Sequence, residues 1–521
     1  MPTNLLTAML ALSVAGVDAS NPQQAVETIG TSREGRPIEL TILADPIETA
    51  HERPAVLVVA GLDGGHRVGP ELTRALIDRL GARHAEILDE VTFYLLPLGN
   101  PDGAAGGRRG NAGTLDLDRD GMLDEDPPRD LDGNGMITMM RRAAPPLDDP
   151  ATHLPDPADP RLMIEPDPAR SERATHTLYI EGIDADGDGL IGEDGPDGVD
   201  PLRNFMHRWP EYEQTSGPFP LSENASEAIA SFVLSRPNLI AAVVYGPHDN
   251  LIRVPDTDGR DRAGGSPREL APDDKDGHLA VSERYRALTG QIHSEHTDDA
   301  GSLHGWLYAY RGIPAYASTG WGRPEAADPV EETDDELPTP RNPDDALWLA
   351  YSDQVRDGSG FVEWSPFEHP QLGAVEIGGW VPGFRSMPPE GEIETLAAGH
   401  AEWIAELARN RAIIETSGPE IETIAGDLSR IRIGLRNVGR VPTRTHQATR
   451  NRANRPTNIR LDCDPELVIE GRMLTQVERI EPGELVVLEW TVRNRPDRPI
   501  SITVEDPVLA ASTLIPVVIS Q

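Results

Sequence analysis

The apolar run Pro54-Ala-Val-Leu-Val-Val-Ala-Gly61 reads as a buried strand, and residues 70–80 then repeat apolar positions at helical spacing, which predicts a helix. A second strand is predicted over 91–98. It stops at Asn100-Pro-Asp-Gly103, a turn signal in which proline fixes φ and glycine accepts positive φ. The same rhythm returns with a helix over 222–234, strands over 239–245 and 313–318, and a closing amphipathic helix over 392–410. Strands alternating with helices predict an α/β domain, a mixed sheet flanked by helices.

Two stretches break the rhythm. Residues 115–198 are dominated by Asp, Gly and Pro with little apolar periodicity, and read as an insertion without a core of its own. Beyond about residue 416, short alternating segments such as 485–492, 500–504 and 514–519 are separated by Gly and Pro turns, which predicts a small β-sandwich. The expected domains are therefore 21–415, carrying the insertion, and 416–521. Ahead of them, the apolar run 5–17 suits a signal-peptide core and is too short for a membrane span, so residues 1–20 predict export to a secreted, periplasmic or cell-surface location. No Lys or Arg precedes that run, which keeps a buried N-terminal segment open as the alternative. No other stretch is suited to crossing a bilayer.

Charge changes the picture next. Over 521 residues, 47 Lys plus Arg stand against 87 Asp plus Glu, a net charge of −40 that repels phosphate backbones and anionic membranes and argues against nucleic-acid partners. Cys463 is the only cysteine, which excludes an intrachain disulfide and a thiolate zinc cluster. The acidity describes either a solvated surface or carboxylates gathered around divalent cations.

The insertion favours cations. Asp116, Asp118 and Asp120, Asp130, Asp132 and Asn134, and Asp184, Asp186 and Asp188 each put oxygen ligands at positions 1, 3 and 5 of a loop with Gly at 6. Hard cations want six to eight oxygens, and alternate residues of a tight loop point inward. Calcium here would order the insertion. None of the loops has a carboxylate at position 12, and only the first has one at position 9, Asp124, so they are not EF-hands. Glu125, Asp126, Glu193 and Asp194 are the residues at hand to complete the shells. Acidic hairpins without an ion are the bland alternative.

Several short segments recur in one order: Gly30-Thr-Ser-Arg-Glu-Gly-Arg-Pro37, Gly61-Leu-Asp-Gly-Gly-His-Arg-Val-Gly69, Asn100-Pro-Asp-Gly103, Gly198-Val-Asp-Pro-Leu-Arg-Asn-Phe205, Gly305-Trp-Leu-Tyr308 and Val375-Glu-Ile-Gly-Gly-Trp380. In these the chain resembles the zinc carboxypeptidase family, the carboxypeptidase A-like exopeptidases, and their bacterial branch with acidic insertions, over residues 28–410. The resemblance implies zinc on a His-x-x-Glu pair and a later His, with a glutamate as general base. Here Asp63 and His66 stand at the paired positions, Tyr245 or Gly246 at the third, and Thr319 at the base, where a threonine cannot take a proton from bound water. Asp63, His66 and His248 are nevertheless ligand types that would rebuild a zinc set in changed order. Glu376 is a further carboxylate to weigh as a relocated base.

The resemblance also implies an Asn-Arg pair on the substrate's terminal carboxylate, which reads Leu202-Arg203, and an oxyanion-stabilising arginine, for which Arg141 or Arg142 is the candidate. Arg203 has a structural alternative, a salt bridge to a carboxylate such as Asp200, and His207 and His304 read as surface or packing residues. Three functions follow: a degenerate carboxypeptidase fold that binds a peptide or protein C-terminus, an active metallocarboxypeptidase with a rearranged zinc site, or a calcium-stabilised extracellular scaffold. The replacements at 63, 66, 202 and 319 favour the first.

Overall fold

The computed structural model describes residues 23–518 except 117–118, 120, 122, 125, 147–148, 193–194, 196, 261–266, 295–296, 325–339 and 496–497, together with the backbone of Ala15–Val17. The expected export segment, 1–20, lies outside the described residues apart from those three.

Seven strands form the central sheet, in the order Ala15–Val17, Gln24–Thr31, Pro37–Leu43, Thr92–Leu96, Ala55–Ala60, Leu239–Tyr245, Ala315–Ser318. The last four run parallel and the first three pair antiparallel, so the sheet is mixed, as the alternating pattern implied. Every residue of Ala55–Ala60 is buried because the strand has helices on both sides. Val56 and Val58 pack with Leu72, Leu76 and Leu80 of helix Val68–Arg83 and with Trp403 and Ile404 of helix Ile393–Arg409. Leu57 and Val59, on alternate positions, pack with Ile229 and Val233 of helix Asn224–Ser235 and with Trp306. Each such side chain contributes about 1.5–3 kcal/mol by leaving water.

The insertion is not coreless. Met139–Ala143 pairs with His176–Ile180 on one side and with Gly373–Trp380 on the other, and Phe361–His369 completes a four-stranded sheet. Met140, Ile191, Val375 and Ile377 bury together on it. The expectation failed because half of the apolar partners lie far downstream of the insertion.

Past residue 413 come two four-stranded sheets, Ile414–Ala425, Leu428–Asn437, Leu485–Arg493 and Val468–Glu470 against Leu474–Val477, Thr457–Asp462, Ile500–Asp506 and Ala511–Val517. Ile431, Ile433, Leu435, Ile459, Leu461, Trp490 and Ile502 share one core between them. Beside it Arg444 meets both carboxylate oxygens of Asp506 at 3.0 Å, fully buried. The two domains meet at Asp274, which accepts from the backbone N–H groups of His446 (2.7 Å) and Gln447 (3.1 Å) and from the Tyr308 hydroxyl (2.8 Å). Among the described residues no helix is long and apolar enough to cross a membrane.

Candidate functional site

The parallel strands deliver their loops to one edge of the sheet, the place where open α/β sheets collect functional groups. Ala55–Ala60 leads into Asp63 and His66, Leu239–Tyr245 into Gly246 and His248, and Ala315–Ser318 into Thr319. Asp63 folds its own loop: Oδ1 accepts from the Gly65 N–H at 2.8 Å and its carbonyl accepts from the His66 N–H at 3.2 Å. Its Oδ2 stands 3.5 Å from Nε of Arg109, and that Nε donates to Oδ2 of Asp200 at 2.8 Å.

Arg109 reaches this point because Asn100 shapes the turn around it. The Asn100 side chain accepts from the Gly103 N–H and donates to the carbonyls of Arg109 (3.3 Å) and Gly110 (3.0 Å). Asp200 is fixed by its other oxygen, which accepts from the Leu202 N–H at 2.8 Å. Burial pushes the Asp200 carboxyl up to about 7; Arg109 opposes that rise and the neighbouring Asp63 adds to it. Burial also raises Asp63 and Asp197, with Arg109 pulling both back. One guanidinium thus holds three desolvated acids in check.

The imidazoles are neutral. Burial lowers His66 to about 4 and His248 to about 3, the latter with help from His304, whose ring centroid lies 5.5 Å away. Nδ1 of His66 has no hydrogen-bond partner and faces Gly69, where an added Cβ would come within 3.2 Å. Nε2 of His248 meets the Asp298 carbonyl at 3.1 Å, and its Nδ1 is likewise unpartnered.

A zinc carboxypeptidase needs three ligand atoms converging on one point. Among the described residues, triplets of ligand atoms within 4.8 Å of one another occur only in the insertion, and none includes Asp63, His66 or His248. His66 points its free nitrogen at a helix, and Asp63 faces a cation. Among the described residues, the expected zinc candidates Asp63, His66 and His248 are thus not brought together as one triplet of ligand atoms. Thr319 follows the strand Ala315–Ser318 as expected and touches His66 through its backbone, and it supplies no base.

Arg203 is paired, though not to Asp200. Its guanidinium meets Glu213 at 2.8 Å and Asp298 at 3.1 Å, with only 15% of the side chain exposed. Asp298 is shared with Arg208, which also holds Asp299, and Asp299 contacts the buried His304 at 3.3 Å. His207 bonds the Arg268 carbonyl at 2.7 Å. The oxyanion candidates Arg141 and Arg142 lie on the strand Met139–Ala143 of the insertion sheet. Arg141 bonds Glu376 at 2.7 Å across the insertion sheet and lies 4.5 Å from the Trp364 ring, and Arg142 pairs with Asp149 at 3.2 Å. The arginine at the strand edge is Arg109, whose only sequence signal is its place just past Asn100-Pro-Asp-Gly103.

The acidic loops fold on their own amides. Asp184 accepts from Gly187 (2.6 Å) and Gly189 (3.2 Å), Asp186 from Asp188 (3.0 Å) and Asp188 from Leu190 (2.6 Å). Gly189, with φ of 98°, takes the conformation that position 6 requires. Asp130 accepts from Gly133 and Gly135, Asp132 from Asn134, and Asp116 from Gly121. Asp118, Asp120, Glu125, Glu193 and Asp194 lie outside the described residues. The carboxylates that converge do so between loops, not within one: Asp126 with Asp184 and Asp186, and Glu181 with Asp130 and Asp132, leaving Asp116, Asp124 and Asp188 outside both groups.

Residues 13–137 match the zinc carboxypeptidase family, and residues 414–513 match a domain of unknown function (DUF8731). Among solved structures, the chain is similar to carboxypeptidase A from Helicoverpa armigera, at 13% identity and a TM-score of 0.33 over 57% of this chain and 59% of that one. It is similar to bovine thrombin-activatable fibrinolysis inhibitor in complex with tick carboxypeptidase inhibitor, at 11% and 0.37 over 74% and 89%. A third is the metallo-carboxypeptidase from Burkholderia cenocepacia, at 12% and 0.31 over 57% and 55%. The match thus spans less than two thirds of the first and third of these proteins. No curated protein matches the chain.

Proposed function

From the premise that the chain belongs to the zinc carboxypeptidase family, through residues 13–137, we propose that its cleft binds a peptide C-terminus or related carboxylate without hydrolysing it. One observation carries the reading: the guanidinium of Arg109 stands between Asp63 and Asp200. A fixed cation there partners the acids, and the base position holds Thr319, which cannot deprotonate a water. Arg109 is 46% exposed, and among the described residues its two terminal nitrogens make no hydrogen bond. A carboxylate meets such a free fork in two parallel hydrogen bonds. Arg203, closed by Glu213 and Asp298, is the poorer anchor.

The test is calorimetric titration of peptides ending in a free or an amidated carboxyl, with mass spectrometry of the mixture and metal analysis of the protein. Preference for the free carboxyl with intact peptide supports the reading. Chelator-sensitive release of C-terminal residues, with stoichiometric zinc, overturns it in favour of an active enzyme. That second reading draws on the unpartnered Nδ1 atoms of His66 and His248. The acidic loops we assign to calcium, a hard cation suited to carboxylates, in a structural role.

A further inference from the structure

Resting on that assignment of calcium, we infer that the insertion holds one ion between two of its loops, on Asp126 from the first and Asp184 and Asp186 from the third. Asp126 is completely buried. One of its oxygens accepts from the Ala185 N–H at 2.7 Å, which seats the carboxylate on the segment between Asp184 and Asp186. The other oxygen has no hydrogen-bond partner. No arginine or lysine pairs with Asp126 among the described residues. Leaving a buried carboxylate oxygen unsatisfied is costly, and two further carboxylates within 4.8 Å raise that cost by repulsion. A divalent cation reverses the sign of all three interactions.

The chemistry selects the ion. Three carboxylates offer oxygen alone, with neither imidazole nor thiolate, which suits calcium over zinc, and backbone carbonyls and water complete a shell of six to eight. The third loop is already braced for the task. The His369 ring bonds the Gly182 carbonyl at 2.8 Å, and the Gln371 side chain meets both backbone groups of Asp184. The second convergence differs. Both oxygens of Glu181 accept from amides, of Leu131 and Thr138, so it has no vacant acceptor in search of a cation and serves as the internal comparison.

The experiment uses the full chain, stripped of metal by chelator and titrated with calcium in a calorimeter, with thermal unfolding in parallel. Calcium is expected to bind the wild type and raise Tm by about 5 °C at saturation. Asp126→Asn and, as a second variant at a less buried position, Asp186→Asn should each lose one binding equivalent and the rise in Tm, while Glu181→Gln keeps both. Absence of calcium binding in the wild type overturns this site together with the calcium assignment. Binding that persists undiminished in both aspartate variants, or is lost only in Glu181→Gln, overturns the shared site and leaves calcium in the loops standing.

Discussion

Asp200, buried to its last oxygen, is held by Arg109 through a single 2.8 Å bond from Nε, and the same nitrogen lies 3.5 Å from Asp63. An acid so placed reports on pH. Its folded pKa of about 7 stands above the unfolded value of about 3.9. The carboxyl therefore favours folding when protonated, fully below about pH 4, and that contribution is lost as pH rises through 7. Asp200→Asn abolishes the dependence. The stability of this variant relative to wild type should improve between pH 4 and pH 8, by at most about 4 kcal/mol. The buried histidines titrate in both proteins and cancel. Urea unfolding at several pH values reads the difference, and one that stays constant or shrinks with rising pH refutes the assignment.

Arg109→Ala should weaken a free-carboxyl peptide by about tenfold or more, the worth of a charge-assisted hydrogen bond. Arg203→Ala should change the affinity by less than about threefold, because its guanidinium is already committed to Glu213 and Asp298. Titration of both variants with the same peptide decides. The opposite order of losses would return the anchor to Arg203.

Asp274→Ala strips one acceptor from two backbone amides of the β-sandwich domain and from the Tyr308 hydroxyl. The expected cost is about 2–4 kcal/mol, with the β-sandwich unfolding separately from the α/β domain. Calorimetry should show two transitions where the wild type shows fewer; an unchanged trace would mean that the seam is held elsewhere.

Asp506→Ala leaves the guanidinium of Arg444, 1% exposed, without a counter-charge. Breaking a buried pair costs about 3–5 kcal/mol, and replacing both partners with apolar residues recovers much of it. Hydrogen exchange across Thr457–Asp462 and Ile500–Asp506 measures the loss. Full protection in the single variant would show the pair to be dispensable.

The fold was legible where a segment's burial depends on its own pattern. Ala55–Ala60 and Leu239–Tyr245 carry apolar runs because the sheet is covered on both faces, and Leu72, Leu76 and Leu80 repeat because one helix face meets it. The insertion misled because Met140 finds Val375 and Ile377 only after the chain has crossed the central sheet again. Site residues were legible as types and not as partners. Asp63, His66 and Thr319 do gather at one edge, but nothing in their spacing announces that Arg109 intervenes, since its acids come from residues 63, 197 and 200. Asp126 was legible as a shell residue but not as the partner of Asp184 and Asp186, and Glu181 was hidden, for a similar reason: the loops approach one another, while a motif is sought within a single loop.

The four-stranded sheet of the insertion also fixes an order of events during synthesis. Met139–Ala143 and His176–Ile180 leave the ribosome well before the strand that pairs with the free side of Met139–Ala143. Their remaining neighbour, Gly373–Trp380, follows only after about 190 more residues, some 10–40 s at ordinary elongation rates. For that interval the free side is a pairing edge flanked by acidic loops, whose repulsion discourages a second chain from docking there. Like charge beside an unpaired strand edge is one of the ways sheets oppose edge-to-edge docking.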